Sequence, residues 1–193
     1  MIIPFNPTSP PITSSMKIAL LSALLLLALL LLGACEAENH NHTQGTEIFP
    51  PRSIEYAALW QLNGLGINPV FFREHWSLVI IENAECQKGC MQQLELIASI
   101  SNVQRLFVAA DAATHEQMRN IAHHHPGVEV AMGTTAASID SFRRQLSSED
   151  LDNDTTLHFV YVINPDVEVI LTYPGNGDAE GLQNELKRLR AQW

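Results

Sequence analysis

The chain has 193 residues, 46% hydrophobic and 17% charged, with 21 acidic against 11 basic side chains and a formal net charge of −10. That balance excludes nucleic acid and anionic membrane surface as partners held by charge. Beyond the first of its three cysteines lie about 158 residues, enough for one domain with a proper core.

The N-terminal part reads as an export signal. After Lys17, residues 18–32 form an apolar run relieved only by Ser22, short of the roughly 20 residues a full bilayer span needs. The ending Leu32-Gly33-Ala34-Cys35 puts small residues before a cysteine, the pattern of a lipoprotein signal in which the Cys35 thiol takes the lipid. The other reading is an uncleaved signal anchor with an incidental Cys35. Either one exports the domain and tethers it to the membrane, facing the periplasm. Residues 1–15 carry no basic side chain, and Met16-Lys17 would make an ordinary signal start. The expected organisation is thus a signal or anchor over 1–35, a polar tether over 36–53 ending beyond Pro50-Pro51, and a domain over 54–193. His40 and His42 belong to the tether and read as tail rather than metal site.

The domain's elements follow in order. Residues 54–67 predict a small strand or hairpin with Asn63-Gly64 as its turn. Residues 76–81 form an apolar run interrupted only by Ser77 and predict a buried strand; 82–88 form a polar loop, after which Met91, Leu94, Ile97 and Ala98 recur at helical spacing. A second buried strand is expected over 105–110, and a helix over 114–123 with Met118, Ile121 and Ala122 on one side. Pro126-Gly127 ends that helix, and 128–132 give a third strand. Residues 138–146 predict a helix capped by serine, with Asp140 in its first turn. Residues 157–163 and 167–173 flank Asn164-Pro165-Asp166, a hairpin signal. From Ala179 onward Leu182, Leu186 and Leu189 mark the apolar face of a last helix. Alternating strands and helices imply an α/β, thioredoxin-like fold: a central, mostly parallel sheet, flanking helices and a C-terminal antiparallel hairpin.

With Cys35 lipidated, one pair of cysteines remains, Cys86 and Cys90. They fall where the first buried strand gives way to its helix, and in parallel sheets sites form beyond the carboxyl ends of strands. A thiol near a helix N-terminus has its pKa lowered by the dipole, and Lys88 adds to the effect. Cysteines four apart on a helical turn share a face, with Cα atoms about 6 Å apart and within disulfide reach. The same spacing lets both thiolates hold one Cu(I). Thiol–disulfide exchange and copper binding are both open. So is a static disulfide, although closing so short a loop stabilises little. His123-His124-His125, ahead of Pro126-Gly127, read as a solvated helix end, and His75 as an ordinary residue at a strand start.

In order and spacing these features resemble the SCO/SenC family of cytochrome c oxidase assembly proteins, and within it a divergent proteobacterial branch. The resemblance is carried by Asn41-His42 leading to Pro50-Pro51, by residues 75–81 (His-Trp-Ser-Leu-Val-Ile-Ile) followed by Cys86, and by Tyr161-Val162-Ile163-Asn164-Pro165. It runs from about residue 41 to 193. What it implies is a membrane-tethered periplasmic factor whose partner is a cytochrome c oxidase subunit or another periplasmic thiol or copper protein. Copper-delivery members of the family bind copper through two cysteines and a histidine on the strand leading into the hairpin, matched here by Cys86, Cys90 and His158. His158 lies six residues before Asn164. The usual family spacing is two longer and points to Thr156, but a two-residue shift keeps the same strand face. A half-buried strand histidine is the other reading. Two departures stand out. Gln87-Lys88-Gly89 replaces the family's Cys-Pro segment, and Val167 stands where a glycine is expected after Asn-Pro-Asp, predicting a different turn. The competing functions are a general thiol–disulfide oxidoreductase using the same pair, and a tethered interaction module with a structural disulfide. Whether the protein is an enzyme or a metallochaperone stays open. A peroxidase reading lacks the threonine expected ahead of the cysteine, since Asn83-Ala84-Glu85 offers none.

Overall fold

In a computed structural model, which describes residues 44–147 and 158–193, the apolar runs form strands and the helically spaced stretches form helices. The described residues all fall within one unit, Thr43–Trp193. The elements are β1 (Thr46–Ser53), β2 (Leu59–Gln61), β3 (Gly66–Ile67), α1 (Pro69–Phe72), β4 (Ser77–Glu82) and α2 (Lys88–Ser99). There follow β5 (Gln104–Ala109), α3 (His115–His124), β6 (Glu129–Gly133), α4 (Ala136–Leu146), β7 (Phe159–Ile163), β8 (Glu168–Pro174) and α5 (Ala179–Arg190).

One eight-stranded sheet runs in the order β1-β8-β7-β4-β5-β6-β2-β3. The β4·β5 and β5·β6 pairings are parallel and form its centre; β7 joins β4 antiparallel, and β8 joins β7. This is the expected thioredoxin-like α/β plan. The central strands are apolar in their middle residues because both faces are covered there. On one face Leu78, Ile80, Phe107, Val160 and Val162 pack with Leu94 and Ile97 of α2, Met118 and Ile121 of α3, and Leu182, Leu186 and Leu189 of α5. On the other, Val79, Leu106, Val108, Tyr161 and Ile163 pack with Phe72 of α1 and with Phe142 and Leu146 of α4. Local chemistry sets the helix starts. Thr114 and Gln117 form a reciprocal capping box ahead of α3, and Asp178 caps α5 by accepting from Gly181 N.

Three expectations are corrected. Residues 46–53, expected as the end of the tether, form β1 and pair antiparallel with β8. The Pro50-Pro51 pair lies at an irregularity in that pairing, between Glu47 and Arg52, and proline is tolerated there because an edge strand bonds on one side only. Helix α4 begins at Ala136 rather than Ser138: Thr135 is the cap and accepts from Ser138 N, while Ser138 Oγ lies 2.9 Å from Thr135 Oγ1. Asp140 therefore falls outside the first turn. Finally, Val167 does take the left-handed conformation, at φ 68°, that its β-branched side chain disfavours. The β7–β8 turn thus keeps a glycine-like geometry without the glycine. It is over-determined by its surroundings: Asn164, wholly buried, accepts Glu168 N through Oδ1 at 2.8 Å and donates to Glu168 Oε2 at 3.0 Å. Val167 O also accepts from Ile54 N at 3.0 Å, and the Val167 side chain is buried in the core.

Candidate functional site

The site lies beyond the carboxyl end of β4. That strand ends at Glu82, a turn closes with Cys86 N donating to Asn83 O at 2.9 Å, and α2 starts at Lys88. Asp111, just after β5, steadies the loop by accepting Ala84 N at 3.0 Å. Cys86 and Cys90 are joined by a disulfide with Cα atoms 5.1 Å apart. The expected proximity holds, but its cause differs. Cys86 precedes the helix and sits at φ 41°, so a left-handed residue, not a helical turn, aims its sulfur at Cys90. Such a conformation costs a non-glycine residue about 1–3 kcal/mol.

The two sulfurs are unequal. Cys90, in the first turn of α2, is 3% exposed and belongs to the core, whereas Cys86 is half-buried. The N-cap residue Gln87 makes no side-chain cap bond, and the first turn of α2 holds no acid. The positive end of the helix therefore faces the cysteines, with Lys88 adding a cation in the same turn.

His158 is brought to this place by sheet register. In the β4·β7 pairing Val79 faces Tyr161, and continuing it three residues puts Glu82 opposite His158. In the β7·β8 pairing Phe159 faces Pro174, and His158 O accepts from Gly175 N at 2.7 Å. The imidazole lies on Gly89, the residue directly before Cys90: a Cβ on Gly89 would be 3.3 Å from both Cδ2 and Nε2 of the ring. On the far side of the ring Nδ1 pairs with Glu82 Oε1. Behind Glu82, the fully buried amide of Gln93 donates to Glu82 Oε1 at 2.9 Å and accepts from Phe159 N at 3.1 Å, with its nitrogen turned to the carboxylate.

Among the described residues no three His, Cys, Asp or Glu side chains converge as a ready metal cage. In the disulfide form the two sulfurs are bonded to each other, so the donor set of two soft thiolates and one imidazole that suits Cu(I) requires prior reduction. Cys86, Cys90 and His158 are thus together at one strand end. His123 and His124 are exposed at the end of α3, as expected, while His125 turns inward and its Nε2 is buried without a hydrogen-bond partner among the described residues. His75 is exposed just ahead of β4. Cys35, His40, His42 and Thr156 lie outside the described residues, and no helix among the described residues is long and apolar enough to cross a membrane. Sequence reasoning missed Glu82, Gln93 and Asp111. The available signal was weak: an acid ending a buried strand, and a lone glutamine on the apolar side of α2.

No family model and no curated protein matches the chain. Solved structures do. Copper-bound ScoI from Arabidopsis thaliana is 18% identical, with a TM-score of 0.57 over 74% of this chain and 98% of that one. BsSco, a member of the Sco family of cytochrome c oxidase assembly proteins with a disulfide switch, is 13% identical, with a TM-score of 0.59 over 74% and 96%. A SCO1/SenC family lipoprotein from Bacillus anthracis is 16% identical, with a TM-score of 0.59 over 74% and 99%. At such identities the likeness is one of fold: this chain has the thioredoxin-like fold of the Sco/SenC structures.

Proposed function

We propose that the chain is an exported, membrane-tethered assembly factor for cytochrome c oxidase, with Cys35 as its lipid site, that carries Cu(I) on Cys86, Cys90 and His158. The observation that carries this reading is the seating of the His158 ring on Gly89, between two cysteines at the positive end of α2. Structural likeness to a copper-bound ScoI supports it. In the cycle we envisage, a dithiol donates two electrons to the Cys86–Cys90 bond and is itself oxidised to a disulfide. The two thiols then lose protons as they take Cu(I), and His158 supplies a neutral nitrogen. The buried position of Cys90 shields the metal from water, while the more open Cys86 gives a partner's thiolate its point of access.

A second reading, thiol–disulfide exchange, is favoured by that same asymmetry. An accessible Cys86 suits attack on a partner disulfide, and a buried Cys90 suits resolution of the mixed disulfide.

The deciding experiment is anaerobic titration of the reduced protein with Cu(I) against a competing chelator. One-to-one binding is expected, abolished in Cys86→Ser and in Cys90→Ser and weakened about tenfold or more in His158→Ala. Binding no better than that of a Cys86→Ser/Cys90→Ser double variant sinks the copper reading. The reduction potential of the pair then decides for exchange if it falls within about −120 to −270 mV, and for a structural bond below about −300 mV.

A further inference from the structure

The side chain of His158 is 47% exposed. A histidine so open to solvent ordinarily samples several rotamers and both neutral tautomers. Here a line of contacts leads to it from the sheet interior. It starts at Gly175, where a Cβ would come within 2.4–2.8 Å of Gln93 side-chain atoms, so that only glycine leaves Gln93 its place. Gln93, fully buried, spans from Phe159 N to Glu82 Oε1. Glu82, whose side chain is only 12% exposed, then meets His158 Nδ1. The line ends on the backbone between the cysteines, with Nε2 of the ring 3.3 Å from the Cβ position of Gly89.

The geometry points to Glu82 as the positioning residue of the site: it holds Nδ1–H of His158, fixes which ring nitrogen keeps its proton and leaves Nε2 on the side of Gly89, next to Cys90. A carboxylate accepts hydrogen bonds and cannot donate them, so the nitrogen facing Glu82 carries the proton and the other nitrogen is the donor to a metal. Outer partners of this kind set ligand orientation and basicity, and losing one typically costs 10–100-fold in metal affinity. Glu82 itself stays off the metal, because the ring lies between it and Gly89. The inference rests on the copper reading for its purpose, but its geometric content can be tested without copper.

The experiment combines histidine 15N NMR of the reduced, metal-free full chain with Cu(I) titration. In the wild type, His158 is expected as a single tautomer, protonated at Nδ1. In Glu82→Ala it relaxes to a mixture, and in Glu82→Gln, whose carbonyl still accepts the proton, the single tautomer returns. Cu(I) affinity should fall at least tenfold in Glu82→Ala, survive largely in Glu82→Gln, and fall no further when Glu82→Ala is added to His158→Ala. A mixed tautomer in the wild type, an unchanged one in Glu82→Ala, or an equal loss in the His158→Ala background overturns the role of Glu82. A fixed tautomer in a protein that binds no Cu(I) overturns the copper reading instead, leaving Glu82 as the residue that orients His158 for other work.

Discussion

At the scale of single residues, four described non-glycine residues take positive φ, and two of them shape the site and the β7–β8 turn: Cys86 at φ 41° and Val167 at φ 68°. Their settings differ. Cys86 sits in a half-buried loop at the site, where its backbone sets the sulfur direction; Val167 sits in a turn that Asn164 and Ile54 pin from both sides. For Val167 the competing effects can be weighed. Truncation to Ala removes buried apolar surface worth about 1–2 kcal/mol yet leaves a Cβ in the left-handed region. Truncation to Gly removes slightly more surface but relieves strain of about 1–3 kcal/mol. The usual order is therefore expected to invert, with Val167→Gly unfolding at a higher denaturant concentration than Val167→Ala. Equal or reversed midpoints would mean that the turn carries no strain. Neither positive φ was legible in the sequence, because local propensity argues against both and only the surrounding bonds impose them.

At the scale of elements, α5 was readable from its leucine spacing, but its tie to the sheet edge was not. Arg188 donates to the buried Glu185 through Nε at 3.0 Å and Nη2 at 2.8 Å, and the same Nη2 reaches Glu47 of β1 at 2.6 Å. The hydrogen bond to Glu185 is the leading cause that holds the guanidinium pKa above its ordinary value, against the effect of burial. These two contacts differ in worth. Glu47 is mostly exposed, so Glu47→Ala is expected to cost less than about 1 kcal/mol. Arg188→Ala strands a carboxylate that is 5% exposed, and a cost of about 2 kcal/mol is expected, part of the 3–5 kcal/mol seen for fully buried pairs because Arg188 is itself partly in water. Urea denaturation of the two variants checks this. Matching losses would place the Arg188 contribution in the link to β1 rather than in the partnering of Glu185.

For the whole molecule, β8 and α5 are locked to the N-terminal strand region through Tyr173. The side chain of this residue is buried, and its hydroxyl lies 2.5 Å from Gln44 Oε1 and 2.9 Å from Asp178 O. Burial first, then the negative charges of Asp178 and Glu185, push the phenol up to about 12. A raised value means that the folded state holds this proton more tightly than the unfolded chain does. The stabilising contribution is complete below the ordinary phenol value of about 10 and is lost as pH rises from there to about 12. Stability should thus decline across that alkaline window in the wild type. Tyr173→Phe should be about 1 kcal/mol less stable at neutral pH, and its alkaline decline should be shallower. Parallel alkaline limbs in the two proteins would assign the decline to other groups.

By itself, the sequence determined the order of strands and helices from Trp76 onward, their buried faces and the position of the cysteine pair where the first buried strand gives way to α2. Those features follow from local apolar periodicity and cap chemistry, which are written in neighbouring residues. Only the tertiary structure decided the rest, because the rest depends on partners far apart in the chain. Residues 46–53 read as tether because their strand exists through β8, and Thr46 pairs with Thr172 across 126 positions. Glu82 looked like a loop acid and His158 like a strand histidine of two possible kinds. The antiparallel register of β4 with β7 closes the 76 positions between them and sets the imidazole on Gly89. Side-chain periodicity shows which face a residue occupies, but register is settled by long-range hydrogen bonding, and in this protein register builds the site.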